Sequence, residues 1–142
     1  MNNKSKKLLN MTNLLEYSTR LHLLLSEAKQ LNEDMTELRD KITYFGASSV
    51  LHGTKNNATG RDRFADFMVD VENLESTMLE NIHKIIRERQ KLERAIGKID
   101  DDEARLLLRL RLINGLSWEK IGNTLNTDRT NASRKFRKIL GG

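Results

Sequence analysis

Between Leu14 and Phe45 apolar residues recur in alternating steps of three and four: Leu14, Tyr17, Leu21, Leu24, Ala28, Leu31, Met35, Leu38, Ile42 and Phe45. Ten consecutive seam positions of this kind constrain the fold more than any other feature. A strand alternates with period two, whereas an unbroken heptad series describes a helix with one narrow apolar edge. Glu27, Lys29, Glu33, Asp34, Glu37, Arg39 and Lys41 fill the positions between and suit a solvated face. At 1.5 Å per residue the segment would be roughly 50 Å long. The chain contains no proline, the residue that most effectively breaks helix interiors. Hydrophobic residues make up 37% and charged residues 32%. That balance suits helices that each bury a stripe. The expected fold class is all-α.

A second periodic segment runs through Phe64, Phe67, Val71, Leu74, Met78, Asn81, Ile85, Glu88, Leu92, Ala95 and Ile99. Its second half places Asn81 and Glu88 on the seam, while Leu79, Ile82 and Ile86 suggest a stripe shifted sideways. One long helix over about 61–97 is expected, packed antiparallel on the first and changing partner partway along. A polar seam residue can fix register or oligomeric state. Residues 46–60 hold three glycines with Ser, Asn and Thr and show no period, so they read as the connecting loop. That stretch lacks the Gly-Lys-Ser/Thr ending of a phosphate loop and is expected to be a connector. The basic start, up to about residue 7, reads as a frayed tail. Residues 1–99 thus form the expected hairpin and oligomerisation region.

Gly97 followed by Asp100-Asp101-Asp102 marks the next boundary, a helix stop and a new start. Residues 100–142 read as a separate module of three short helices over 102–113, 117–124 and 128–140. Ser117 is placed to cap the second helix, and Thr127 or Asp128 the third.

Several function classes fall away. Without cysteine there is no disulfide framework, thiolate metal site or thiol nucleophile. His22, His52 and His83 lack ligand spacing and read as surface or seam residues. No acid, base and nucleophile fall at a meaningful spacing, so neither enzymatic activity nor a cofactor or metal is expected. No apolar run reaches 18 residues, and Glu16, Arg20 and His22 interrupt the segment after the basic start. The expectation is a cytoplasmic protein of a bacterial host cell with no membrane partner.

The informative stretch is LSWEKIGNTLNTDRTNASRKFRKIL. A helix-turn-helix needs an apolar and then a small residue in its first helix, so that the second can cross closely. Ile121-Gly122 supplies that pair. Leu125, a turn at Asn126-Thr127 and Ala132 follow at the required intervals. Asn tolerates a left-handed backbone better than most residues. Phe136 and Ile139 continue the inner face of the last helix. Its outer face then carries Asp128, Arg129, Thr130, Ser133, Arg134, Arg137 and Lys138, a mixture of cations and hydrogen-bonding groups suited to phosphates and base edges. Residues 127–142 contain five cations against Asp128 alone, +4 of the chain's total of +5. Taken alone, a basic C-terminal helix is equally compatible with a solvated end matched to the helix dipole. The Ile-Gly…Leu…Ala spacing favours a DNA-reading helix over 128–140. Arg129, Thr130, Ser133 and Arg134 would lie nearest the bases, and Arg137 and Lys138 at phosphates, joined by Ser117 and Lys120 from the preceding helix. Trp118 reads as a packing anchor.

The run ARLLLRLRLINGLSWEKIGNTLNTDRTNASRKFRKIL is also similar to the fourth conserved region of bacterial sigma-70 factors. It is closer still to the C-terminal module of small phage regulators of the ArpU/RinA type. Residues 111–122 match the Arg-Tyr-Ile-x-Gly-x-Ser-Trp-x-x-Ile-Ala pattern of those families, with Leu112 for Tyr and Gly122 for Ala. Lys135 stands where they usually carry an apolar residue, with Phe136 beside it to take over the packing. The resemblance is specific over the C-terminal stretch and extends elsewhere only to general layout. It implies a sequence-specific transcriptional regulator of phage or prophage genes, binding double-stranded DNA. One small module buries little surface, so a homo-oligomer, first of all a dimer through the long helices, is expected. Two alternatives stay open: a phage terminase small subunit, and a sigma-like or anti-sigma adaptor whose partner is RNA polymerase.

Overall fold

In a computed structural model, residues 3–52 and 57–141 are described, with side chains described at residue 3 and over 11–45 and 62–141. All regular structure among them is helical. Helix α1 spans Asn3–His52, α2 spans Asn57–Gly97, and α3 spans Asp102–Leu108 and runs on into a π-helical turn, Arg109–Ile113. Helix α4 spans Trp118–Thr124 and α5 Arg129–Gly141. The all-α class and the antiparallel pairing of two long helices are therefore as the periodicity indicates.

The long helices exceed their expected bounds. Helix α1 is already formed at Asn3, where a frayed tail was expected, and continues to His52. Helix α2 starts at Asn57. Of the expected loop 46–60, only 53–56 falls between the helices, and it lies outside the described residues. Extending an existing helix adds one hydrogen bond for each residue ordered, which offsets the cost of a glycine or a polar residue near its end.

All ten seam residues of α1 are buried or half-buried. On α2 the seam likewise holds from Phe67 to Ala95, with Ile99 half-buried just past the helix end, and only Phe64 at its start is exposed. The expected sideways shift does not occur: Leu79, Ile82 and Ile86 face outward, while Asn81 stays buried. Asn81 Nδ2 donates to the Leu24 carbonyl at 3.2 Å, so its amide has a partner inside the seam. Glu88, the other polar seam residue, accepts from Lys91 Nζ at 3.1 Å.

Contacts divide the chain into two compact units, Leu24–Lys84 and Met1–Leu23 together with Ile85–Gly142. In the first, α1 and α2 pack along the seam, and near their ends Phe45 stacks on Phe67 with ring centroids 5.4 Å apart. The second unit is larger than the module expected over 100–142. Its core joins Leu14 and Leu21 of α1, Leu92 and Ile96 of α2, and Leu108, Leu112 and Ile113 beyond them. Phe136, Ile139 and Leu140 of α5 pack against the same cluster.

The π-helical turn shapes this core. Leu116 N would reach the Leu112 carbonyl in a regular helix, but bonds to the Leu110 carbonyl at 3.1 Å. The Leu112 oxygen instead accepts from Ser18 Oγ and His22 Nε2 of α1, each at 2.9 Å. A carbonyl only accepts, so Nε2 carries the imidazole proton here. The His22 ring lies over Gly115, whose φ is +66°. A Cβ there would come within 2.8 Å of His22 Cε1. Glu93 of α2 accepts two hydrogen bonds from the Arg109 guanidinium, which holds the Glu93 carboxyl below its ordinary value of 4.5. A depressed carboxyl contributes stability that is present above its unfolded value and lost as pH falls through its folded one. The wild type is therefore expected to lose stability on acidification below about pH 4.5 more steeply than Glu93→Gln, measured by urea unfolding across that range.

Candidate nucleic-acid interface

Helices α3, α4 and α5 form the module that presents the basic face. Each begins at a side-chain cap. Asp101 accepts from Glu103 N at 3.1 Å, Ser117 Oγ from Lys120 N at 3.3 Å, and Asp128 Oδ1 from Asn131 N at 2.7 Å. Of the two residues proposed to cap the last helix, Asp128 does so. Helix α4 ends with Leu125 N bonded to the Ile121 carbonyl, and Thr127 N bonds to Gly122 O at 2.9 Å. Between them Asn126 turns the chain at φ +53°, the one left-handed non-glycine residue described. Asn126→Ala is expected to cost about 1 kcal/mol, since alanine in this region lacks the local hydrogen bonding that favours Asn. Asn126→Gly is expected to cost little, and chemical denaturation compares the two.

Gly122 makes the close crossing possible. A Cβ on it would lie 2.7 Å from the Thr127 carbonyl oxygen and 3.2 Å from the Asp128 carbonyl carbon, both backbone atoms. Beneath the crossing Leu107, Leu110, Ile121 and Ala132 form a second core, with Leu116, Trp118 and Leu125 packed against it. Trp118 meets Phe136 edge-on with centroids 5.1 Å apart. The Arg111 guanidinium lies 4.3 Å above the Trp118 ring and donates to the Leu116 carbonyl at 2.9 Å. Phe136 and Ile139 touch both cores, so α5 is held along its whole inner side.

That seating determines what α5 exposes. Arg129, Thr130, Arg134, Arg137 and Lys138 are exposed, Ser133 is half-buried, and Lys120 is exposed on α4. Arg137 Nη2 donates to Ser133 Oγ at 3.2 Å, one turn back on the same face. No carboxylate among the described residues pairs with Lys120, Arg129, Arg134, Arg137 or Lys138. Lys135 differs: its ammonium pairs with Glu103 of α3 at 2.7 Å and so ties α5 to the scaffold. Ser117 and Asp128 direct their oxygens to backbone amides as caps, and Asp128 is an anion on the same helix end as Arg129. The basic residues of the expected site thus share one exposed helical face, with Ser117 and Lys120 at the start of α4. Such a face can accept phosphate oxygens without first displacing an internal ion pair. Sequence reasoning missed the structural use of Ser18 and His22, whose only signal was polarity beside an apolar seam.

No curated protein and no solved structure matches the chain. A family model matches residues 43–140, a stretch that takes in all of α2, α3 and α4 and nearly all of α5. The chain therefore belongs to the family described as "Protein of unknown function (DUF1492)".

Proposed function

We propose that this chain is a sequence-specific DNA-binding transcriptional regulator whose α5 enters the major groove. The observation that carries the reading is the seating of α5. Its apolar side is held by two cores, and its other side offers Arg129, Arg134, Arg137 and Lys138 with no carboxylate partner among the described residues, beside Thr130 and Ser133. A helix positioned this rigidly can present several side chains to base edges in one register. Arg129, Thr130, Ser133 and Arg134 are assigned to the bases. Arg137 and Lys138 are assigned to phosphate, with Ser117 and Lys120 supporting from α4. The resemblance to the ArpU/RinA type and to sigma-70 region 4 supplies the phage or prophage setting and a cytoplasmic location. No described helix is long and apolar enough to cross a membrane.

Homodimerisation belongs to the same proposal. Leu79, Ile82 and Ile86 recur at helical spacing on α2 and are exposed. A second copy covering them would supply the second half-site that a single small module lacks. Light scattering is expected to return twice 16.4 kDa or a higher multiple; a clean monomer at micromolar concentration overturns the dimer.

Selection from random duplexes, followed by footprinting, would yield a site on which affinity falls steeply with salt. On that site Arg134→Ala is expected to cost about 1–3 kcal/mol and to relax preference at one position, while binding to random DNA changes less. Lys138→Ala is expected to weaken both alike and to reduce the salt slope by about 1. Failure to enrich any sequence would overturn specific recognition, and equal losses on both DNAs for Arg134→Ala would remove its base contact.

A further inference from the structure

Apart from the basic face of α5, the unit formed by Met1–Leu23 and Ile85–Gly142 contains a cleft of about 450 Å³ between α1 and the end of α2. Its floor is apolar, built from Leu14, Tyr17, Ala95 and Ile99. One edge is cationic: Lys91 and Arg94 lie one turn apart on α2, and Lys98 follows in the turn just past its end at Gly97. Lys91 is engaged, paired with Glu88 and set 5.7 Å from the Tyr17 ring. Arg94 and Lys98 are exposed, and no carboxylate among the described residues pairs with either. The residues before Met11 contain no Asp or Glu and carry Lys4, Lys6 and Lys7, so that stretch of sequence supplies no counter-charge. Cations in the last turns of a helix also complement its dipole, but that role needs no apolar floor beside them.

We infer that this cleft binds a small anionic amphiphile, a linear chain of medium length ending in a carboxylate or phosphate. The volume falls within the usual range for small-molecule sites, roughly 300–1,000 Å³. An apolar floor with a few polar groups at one edge fixes the orientation of such a ligand. The tail lies on Leu14, Tyr17, Ala95 and Ile99, and the head meets Arg94 and Lys98. Lys91 to Lys98 covers roughly 10 Å along α2 and the turn that follows it, close to the length of a ten-carbon chain. A neutral lipid leaves the two cations unanswered, and a small inorganic anion leaves the floor uncovered. The inference is independent of DNA binding, because the ligand is measured with no DNA present.

Titration of the full chain by calorimetry with decanoate and with decyl phosphate tests it. Saturable binding of one molecule per chain below the micellar range is expected for at least one of them. Decanol, decyltrimethylammonium and acetate are each expected to bind at least about tenfold more weakly, since each lacks the charge or the tail. The double variant R94Q/K98Q removes two exposed charges and is expected to weaken the anionic ligand about tenfold or more. Ala95→Leu is expected to fill the floor and weaken it with the charges intact. Circular dichroism checks that each variant is folded. Decanol binding as tightly as decanoate, or unchanged affinity in R94Q/K98Q, overturns the inference. So does binding to phosphatidylglycerol vesicles without binding to the monomeric amphiphiles, which would assign the cations to a membrane surface.

Discussion

A fragment of residues 100–142 is expected to be unfolded by itself, although it contains every helix of the basic-faced module. Leu108, Leu112 and Ile113 are buried in the full chain at 0%, 4% and 6% exposure. Their cover comes in large part from Leu14, Leu21, Leu92 and Ile96, all outside the fragment. Uncovering three such side chains forfeits about 1.5–3 kcal/mol each, roughly 5–9 kcal/mol in all. That is comparable with the entire stability of an ordinary domain, about 5–15 kcal/mol. Chains near 40 residues seldom have such a margin without disulfides, metals or partners. The Leu112 carbonyl also loses Ser18 and His22. Far-ultraviolet circular dichroism of the fragment should show weak helicity and no cooperative melt, and a cooperative transition would show that the core beneath Gly122 suffices alone. Removing residues 1–23 from the full chain is expected to produce the same loss in the module while Leu24–Lys84 keeps its own contacts.

Gly122→Val is expected to cost 3 kcal/mol or more, with a fall in Tm of roughly 10 °C. Even alanine must overcome an opposing effect, because replacing glycine inside a helix gains about 1 kcal/mol of propensity. The clash wins because the atoms facing the new Cβ are the Thr127 carbonyl oxygen at 2.7 Å and the Asp128 backbone at 3.2 Å. A flexible side chain could swing away; these can yield only if α5 moves bodily. Overpacking of that kind costs about 1–3 kcal/mol for one methyl group, and valine adds two more carbons. Gly97→Ala is the matched comparison. Nothing lies within 4 Å of a Cβ there, so its stability is expected to hold or rise. Equal thermal midpoints for Gly122→Val and the wild type would refute the close crossing. If the reading of α5 as a DNA-contacting helix is right, DNA affinity falls in step, since its register depends on that crossing.

Much of this was legible in the sequence because local rules governed it. Heptad spacing placed all ten α1 seam residues on the packed edge. Asp101, Ser117 and Asp128 cap helices as their side-chain chemistry favours. Asn126 turns left-handed where the small polar residue stood between two short helices. Gly122 after Ile121 marked the crossing. What was misread depended on neighbours. Leu79, Ile82 and Ile86 looked like a displaced seam because hydrophobicity outweighed Asn81 locally. Asn81 is nevertheless the buried residue, as the Leu24 carbonyl answers its amide from the facing helix. The glycines of 46–60 were given too much weight, because a single residue's propensity is small beside the propagation of a long helix.

The sequence by itself determined that the chain is helical, that its long helices pair along one edge, and that its positive charge gathers on the last helix. Periodicity, capping and charge count act over a few residues and need no partner. Only the tertiary structure decided where the module ends. The helix ends at Ile113, which leaves the Leu112 carbonyl in its last turn without an intrahelical partner, and Ser18 and His22, 94 and 90 residues earlier, satisfy it. No local pattern encodes that pairing. A buried acceptor must find whatever donor the fold brings beside it, and here the fold brings α1.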